Sequence, residues 1–343
     1  MNVTEHQRPG VYSVYDASSA AYGSTGGRAA AVVAVSAKGT AGEIYPLTSL
    51  EQAEAVFTAG EKLTGLVKLL LLNGAAMVYA VPVEEEGETG DYEAAFRALE
   101  KVEDIAVVVC DSEELEVQKA LRESVKNASQ ARRERISVVP GDNGAAVTQL
   151  TQRAGDLSCE RVVLVAPGGA EAAAAVAGAI AGERDPAVPL GGAELKGGIS
   201  LEENWNDNEV DTLILGGVTP LEQSGGVVSV IRGVTTRTKT GEAKDPTWRE
   251  LTTIRVVDDV IPALRSALRA KFSRAKNTEQ GREAIRSQVI VELENKVADE
   301  IITGYDDVTV SALEDNPTVC LVEFKFTVAH GLNQIWLNAH ITV

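Results

Sequence analysis

Arg161-Val162-Val163-Leu164-Val165-Ala166-Pro167-Gly168-Gly169-Ala170 is an apolar run closed by a proline–glycine turn, and it leads straight into an alanine-rich helix over Ala170–Ala181. A strand without polar alternation is one buried on both faces, as in the parallel sheets of α/β proteins. The same unit recurs upstream. Ile105–Cys110 is a continuous apolar run followed by a long helix over Glu113–Arg132, and Ile136–Val139 stops at Pro140-Gly141 before a helix that reaches about Ala154. Ahead of these, Tyr92, Ala95, Phe96 and Leu99 fall on one helical face. Repeated β–α alternation predicts an α/β centre built on a doubly wound parallel sheet.

Working outward toward the N-terminus, Ala29–Val35, Ile44–Leu47 and Met77–Val83 read as strands. Ser49 with Gln52 opens a helix through Phe57 in a capping-box pattern, and a second helix over Lys62–Leu72 stops at Asn73-Gly74. The acidic stretch Glu84-Glu85-Glu86-Gly87-Glu88 closes this small mixed α/β unit. Before Gly23 the chain is sparse in large apolar residues, with one short strand candidate at Val11–Tyr15, and reads as an extended arm.

The last third differs. Val227–Thr238 and Trp248–Val257 flank the polar turn at 240–246 and predict a hairpin, with helices over Val260–Lys276 and Thr278–Ile302 behind it. Ile285, Val289, Leu293, Val297 and Ile301 mark the buried stripe of the second helix. Strands at Val308–Leu313, Val319–Val328 and Ile335–Val343 finish the chain. The expected division is therefore an arm over 1–22, a small α/β domain over 23–88, a central α/β domain over 89–235, a C-terminal domain over 236–332 and a strand arm over 333–343, α+β as a whole.

The 343 residues carry a formal charge of −18, and only 4% are aromatic, so packing relies on Ala, Val, Leu and Ile. An acidic surface repels nucleic-acid phosphates and anionic headgroups, and direct binding to nucleic acid or membrane is not expected. The N-terminal ten residues contain no apolar core of a signal peptide, and the longest apolar stretch, 172–182, is too short to span a bilayer. Folding in the cytoplasm is the expectation. Cys110, Cys159 and Cys320 are widely spaced and read as buried thiols.

Enzyme chemistry finds little support. The turn after Val165 could present N–H groups to a phosphate, but it lacks G-x-G-x-x-G spacing, and no P-loop motif occurs. A plain strand–helix turn is the stronger reading, with a cytoplasmic nucleotide-binding α/β enzyme as the alternative. The histidines, His6, His330 and His340, all lie near the chain ends, so a serine triad cannot be built within the centre. Neither zinc nor calcium spacing is present, and Asn206–Glu209 reads as a solvated turn. No catalytic, cofactor or metal residue is expected.

Two features remain. The basic run Arg265, Arg269, Lys271, Arg274, Lys276 stands out in an acidic chain, with Arg265, Arg269 and Lys276 near one helical face. It is either a solvated face or a dock for an acidic partner. The two ends, through Val11, Tyr12 and Val14 and through Ile335, Leu337, Ala339, Ile341 and Val343, can pair within their own sheet or add strands to a neighbour's.

Taken in order, several segments resemble contractile phage tail sheath proteins. They are Arg8-Pro9-Gly10-Val11-Tyr12, then Gly26–Ala34 with Lys38-Gly39, then Leu66–Val83 around Asn73-Gly74. They continue with Ala174–Asp185 and Val188-Pro189-Leu190, and end with Trp248–Val257, the basic helix and the terminal strands. The resemblance, strongest to compact sheaths of phages and phage-tail-like particles of Gram-positive bacteria, covers essentially the whole chain. It implies a non-enzymatic structural subunit with a subtilisin-like centre. Such subunits form hexameric rings stacked around a tail tube, between baseplate and tail terminator, and contract to drive the tube through a cell envelope. It further implies that both arms add strands to neighbours and that Arg265, Arg269 and Lys276 face the tube. A bacterial injection device or a tailocin is the nearer alternative to a phage tail.

Overall fold

The structure is a computed structural model, and it describes residues 29–84, 87–201 and 204–333. The described residues start with β1 (Ala29–Val35), β2 (Tyr45–Leu47), α1 (Leu50–Phe57), α2 (Lys62–Leu72) and β3 (Met77–Val83). Next come α3 (Thr89–Leu99), β4 (Ile105–Cys110), α4 (Leu115–Gln130), β5 (Ile136–Pro140), α5 (Val147–Leu157), β6 (Val162–Ala166) and α6 (Gly169–Gly182). After these lie β7 (Glu194–Leu195), α7 (Asp207–Leu215), β8 (Val218–Ser224) and β9 (Val227–Val230). The remainder is β10 (Lys239–Thr240), β11 (Ala243–Lys244), α8 (Pro246–Arg249), α9 (Leu251–Phe272), α10 (Glu279–Ala298), β12 (Ile302–Leu313) and β13 (Asn316–Val328).

A nine-stranded sheet in the order β2-β3-β1-β4-β5-β6-β8-β9-β7 forms the centre. From β3 to β8 all neighbours are parallel; β2 on one side and β9 and β7 on the other are antiparallel. Both faces are covered, which explains the continuous apolar strands. Ala30, Val32 and Ala34 of β1 point into a core shared with α1, α2 and α6. Ala31 and Val33 point into a second core shared with α3, α4, α5 and α7. The expected doubly wound sheet is present. Residues 29–83 share it with residues 105–230, so the division expected at residue 88 falls within one layer.

The alanine content of α6 has a packing reason. A Cβ on Gly178 would lie 2.7 Å from the Leu70 carbonyl oxygen, and one on Gly182 would lie 2.9 Å from that of Asn73. Small residues let α6 and α2 approach until their backbones nearly touch.

Three expectations are corrected. Trp248–Val257 is helical, not half of a hairpin: Asp245 caps α8 by accepting from the Trp248 N–H at 3.1 Å, Pro246 occupies its first turn, and α9 follows at once. These start signals and burial against the sheet outweigh the strand preference of Thr252, Thr253, Val256 and Val257. Only Val227–Val230 of the other half is a strand. Asn206–Glu209 is not a free turn but the capped start of α7, with the Asn206 side chain accepting from the N–H groups of Asn208 and Glu209 at 3.1 Å each. The first C-terminal helix begins at Leu251 and ends at Phe272, so Lys276 lies beyond it.

Helix α9 joins two cores. Leu251 and Ile254 pack into the sheet core, while Val256, Val260, Ile261 and Leu264 pack with Val289, Leu293, Ile302 and Val308 of α10 and β12. At 22 residues it is about 33 Å long. β12 and β13 form a separate antiparallel ladder on α10.

Candidate functional site

The basic helix is the site to build first. Asp258 and Arg265 are seven residues apart and so share a face of α9. That face meets the residues just before β5 and β6. Arg161 donates to both carboxylate oxygens of Asp258, at 2.6 and 2.8 Å. Arg265 donates to Glu134 at 2.7 Å, and the side chains of Arg265 and Glu134 are only 13% and 4% exposed. Beside them Arg237 pairs with Glu160 at 3.2 Å, and Lys296 of α10 pairs with Asp259. Arg255 donates to the carbonyls of Glu183, Asp185 and Val188.

Burial sets the electrostatics of this row. It pushes the Asp258 carboxyl up to about 7 against the pull of Arg161. It also raises Glu134, with Arg265 opposing. The row is an internal strut between α9 and the sheet.

The three expected tube-contact residues therefore separate. Arg265 is engaged inside the chain. Arg269 is exposed on the last turns of α9, and Lys276 is exposed past its end, with Arg274 between them. Among the described residues none of Arg269, Arg274 and Lys276 forms an ion pair. The exposed cationic end of this segment is thus 269–276 rather than a stripe that includes Arg265.

The expected arm residues Val11, Tyr12, Val14, Ile335, Leu337, Ala339, Ile341 and Val343 lie outside the described residues. The ladder that precedes the C-terminal arm is described. β12 and β13 pair only with each other among the described residues, and each leaves one edge of N–H and C=O groups open. Val322, Phe324, Phe326 and Val328 turn to the core, and Glu323, Lys325 and Thr327 alternate outward.

The strand–helix turn that raised a nucleotide reading opens on a cleft of about 670 Å³. Asp111, Glu113, Glu171 and Lys62 line it, with Asn143 and Gly168. Lys62 is held by the buried Asp111 at 2.6 Å, and Asp111 also accepts from the Tyr92 hydroxyl at 2.6 Å. Burial and then the nearby Asp142 raise Glu113. The Gly168 N–H donates to Asn143 at 3.2 Å. Among the described lining residues Lys62 is the one cation and it is paired with Asp111, so the remaining charge there is negative and disfavours phosphate.

Burial pushes the Cys110 and Cys159 thiols up to about 12 and about 11, far from a reactive thiolate. Among the described residues no group of three metal-ligating side chains comes together, and no helix is long and apolar enough to cross a membrane.

Sequence reasoning missed the strut. Its pairs join residues 97 and 131 positions apart, and no local pattern links them. The only hint was the repeated Glu-Arg placed before two core strands, Glu134-Arg135 and Glu160-Arg161.

Two family models match the chain. Residues 86–236 match the phage tail sheath protein central domain, and residues 243–342 match the phage tail sheath C-terminal domain. The tail sheath protein of Bacillus phage SP01 is 27% identical over 255 residues, covering 69% of this chain and 43% of that protein. The tail sheath protein of Mycobacterium phage Bxz1 is 27% identical over 308 residues, covering 80% of this chain and 50% of that protein. The chain thus spans about half the length of these relatives. In fold it resembles a sheath tail protein of Desulfitobacterium hafniense (TM-score 0.74, 13% identity, 97% of this chain and 100% of that one). It also resembles the contracted helical sheath of the anti-feeding prophage (TM-score 0.73, 18% identity, 98% of this chain and 99% of that one).

Proposed function

Because the chain belongs to the phage tail sheath family, we propose that it is a structural subunit that polymerises around a tail tube and contracts to drive the tube through a target envelope. Its subunits stack as six-membered rings in the tail of a phage or phage-like particle, between baseplate and terminator, after assembly in the host cytoplasm. The reading is carried by the order of the two sheath-family segments along one chain.

In this reading the arms over 1–22 and 333–343 complete the sheets of neighbours, and the domains over 23–88, 89–235 and 236–332 form the moving body. The ladder of β12 and β13 supports the first part: a two-stranded sheet with open edges accepts added strands, whose main-chain bonds survive a rigid-body movement. The exposed cations at Arg269, Arg274 and Lys276 suit an acidic tube surface, and their contacts, being exposed, are weak enough to break on contraction. Arg265 serves this contact by holding α9 in place.

Electron microscopy of the purified full chain tests the reading. Tubular or ring-shaped polymers are expected as concentration rises. A chain that stays monomeric at every concentration overturns it.

A further inference from the structure

A second cationic site lies away from α9's basic end. Three segments meet around a cavity of about 330 Å³ lined by Arg232, Arg249, Glu250, His330 and Asn333. Arg232 uses both oxygens of Glu250, at 2.6 and 3.4 Å. Arg249 reaches the same carboxylate only at 3.8 Å. Its Nε is buried and has no hydrogen-bond partner among the described residues, although the side chain is 16% exposed. One carboxylate therefore serves two guanidiniums, and the fork of Arg249 keeps unused donors at the cavity.

A buried, unsatisfied guanidinium N–H costs free energy until an acceptor arrives. A guanidinium fork fits a carboxylate in a paired, planar contact. This chain has 50 Asp and Glu against 32 Lys and Arg, so each copy carries a surplus of carboxylates for another copy's cavity. We infer that the Arg232–Arg249–His330 cavity is a subunit-to-subunit socket that receives a carboxylate side chain from a second copy of this chain. This rests on the sheath reading and names a contact within the polymer. The socket adjoins Asn333, where the chain leaves the described residues.

The test uses full-length chains. Isotope-labelled and unlabelled Arg249→Lys chains are co-assembled and treated with a carbodiimide, which joins an amine to a touching carboxylate. Mass spectrometry then identifies the partner of position 249. Mixed-label cross-links to an Asp or Glu are expected. Cross-links only within one chain, to Glu250 or another carboxylate of the same copy, overturn the socket while leaving tubes intact. In parallel, Arg249→Gln is expected to fold with an unchanged circular-dichroism spectrum and to need at least about tenfold more protein to assemble. Assembly of that variant at the wild-type concentration overturns the socket. A wild-type chain that never assembles overturns the sheath reading and the socket together.

Discussion

At the residue scale, the sharpest feature is the pairing of Arg161 with Asp258. Removing one partner of a buried pair leaves the other charge unmatched, so Asp258→Ala is expected to cost about 3 kcal/mol by denaturant unfolding. The pH dependence has a definite sign. Burial lifts the folded-state carboxyl from 3.8 to about 7, so between these values the folded chain holds a proton that the unfolded chain has lost. The group's contribution to stability is complete below about 4 and is lost as pH rises through about 7. Melting temperatures of the wild type and of Asp258→Asn between pH 4 and 8 should therefore diverge, with the wild type losing ground toward pH 8. A second residue-scale prediction concerns Gly178. An added methyl would meet the Leu70 carbonyl at 2.7 Å, and backbone cannot move aside as a flexible side chain can. Gly178→Ala is expected to cost about 2 kcal/mol in the same unfolding assay.

At the element scale, α9 performs two tasks along its length. Its first half is part of the sheet core and its second half is part of the α10–β12 core, with the ion pairs of Arg265 and Asp258 fixing its rotation. The basic residues consequently differ in what their reversal does. Arg269→Glu with Lys276→Glu is expected to leave the melting temperature within a few degrees and self-assembly intact. Co-sedimentation with tube protein should fall. Arg265→Glu is expected to lower the melting temperature as well, because it faces a Glu134 that is 4% exposed and would set two carboxylates together. Equal melting temperatures for the two sets would show that Arg265 is not part of a strut.

At the scale of the whole molecule, the described residues end just past β13, whose Val322, Phe324, Phe326 and Val328 pack on the core of α9, α10 and β12. Deleting 333–343 is expected to leave a folded monomer with an unchanged circular-dichroism spectrum that forms no tubes in the electron microscope. Tubes from the deleted chain would remove the C-terminal arm from the assembly mechanism. The acidic cleft at the turn after β6 fits the same picture, since its described lining residues offer a phosphate no free cation.

The central sheet was legible because strands buried on both faces must be continuously apolar, and Ala29–Val35, Met77–Val83 and Ile105–Cys110 are found where their sequence put them. Helix starts with a local signal were legible too, such as Ser49 with Gln52, and Asn206 with Glu209 carries an equal signal. The sequence by itself determined this α/β body, its acidic surface and its likeness to sheath subunits, because periodicity, charge and ordered motifs are properties of the chain alone. Only the tertiary structure decided that Trp248–Val257 is helical, that Arg265 is turned inward to Glu134, and that Arg249 is left with donors to spare. Each of these depends on which distant residue the fold brings alongside, and no local pattern encodes that neighbour.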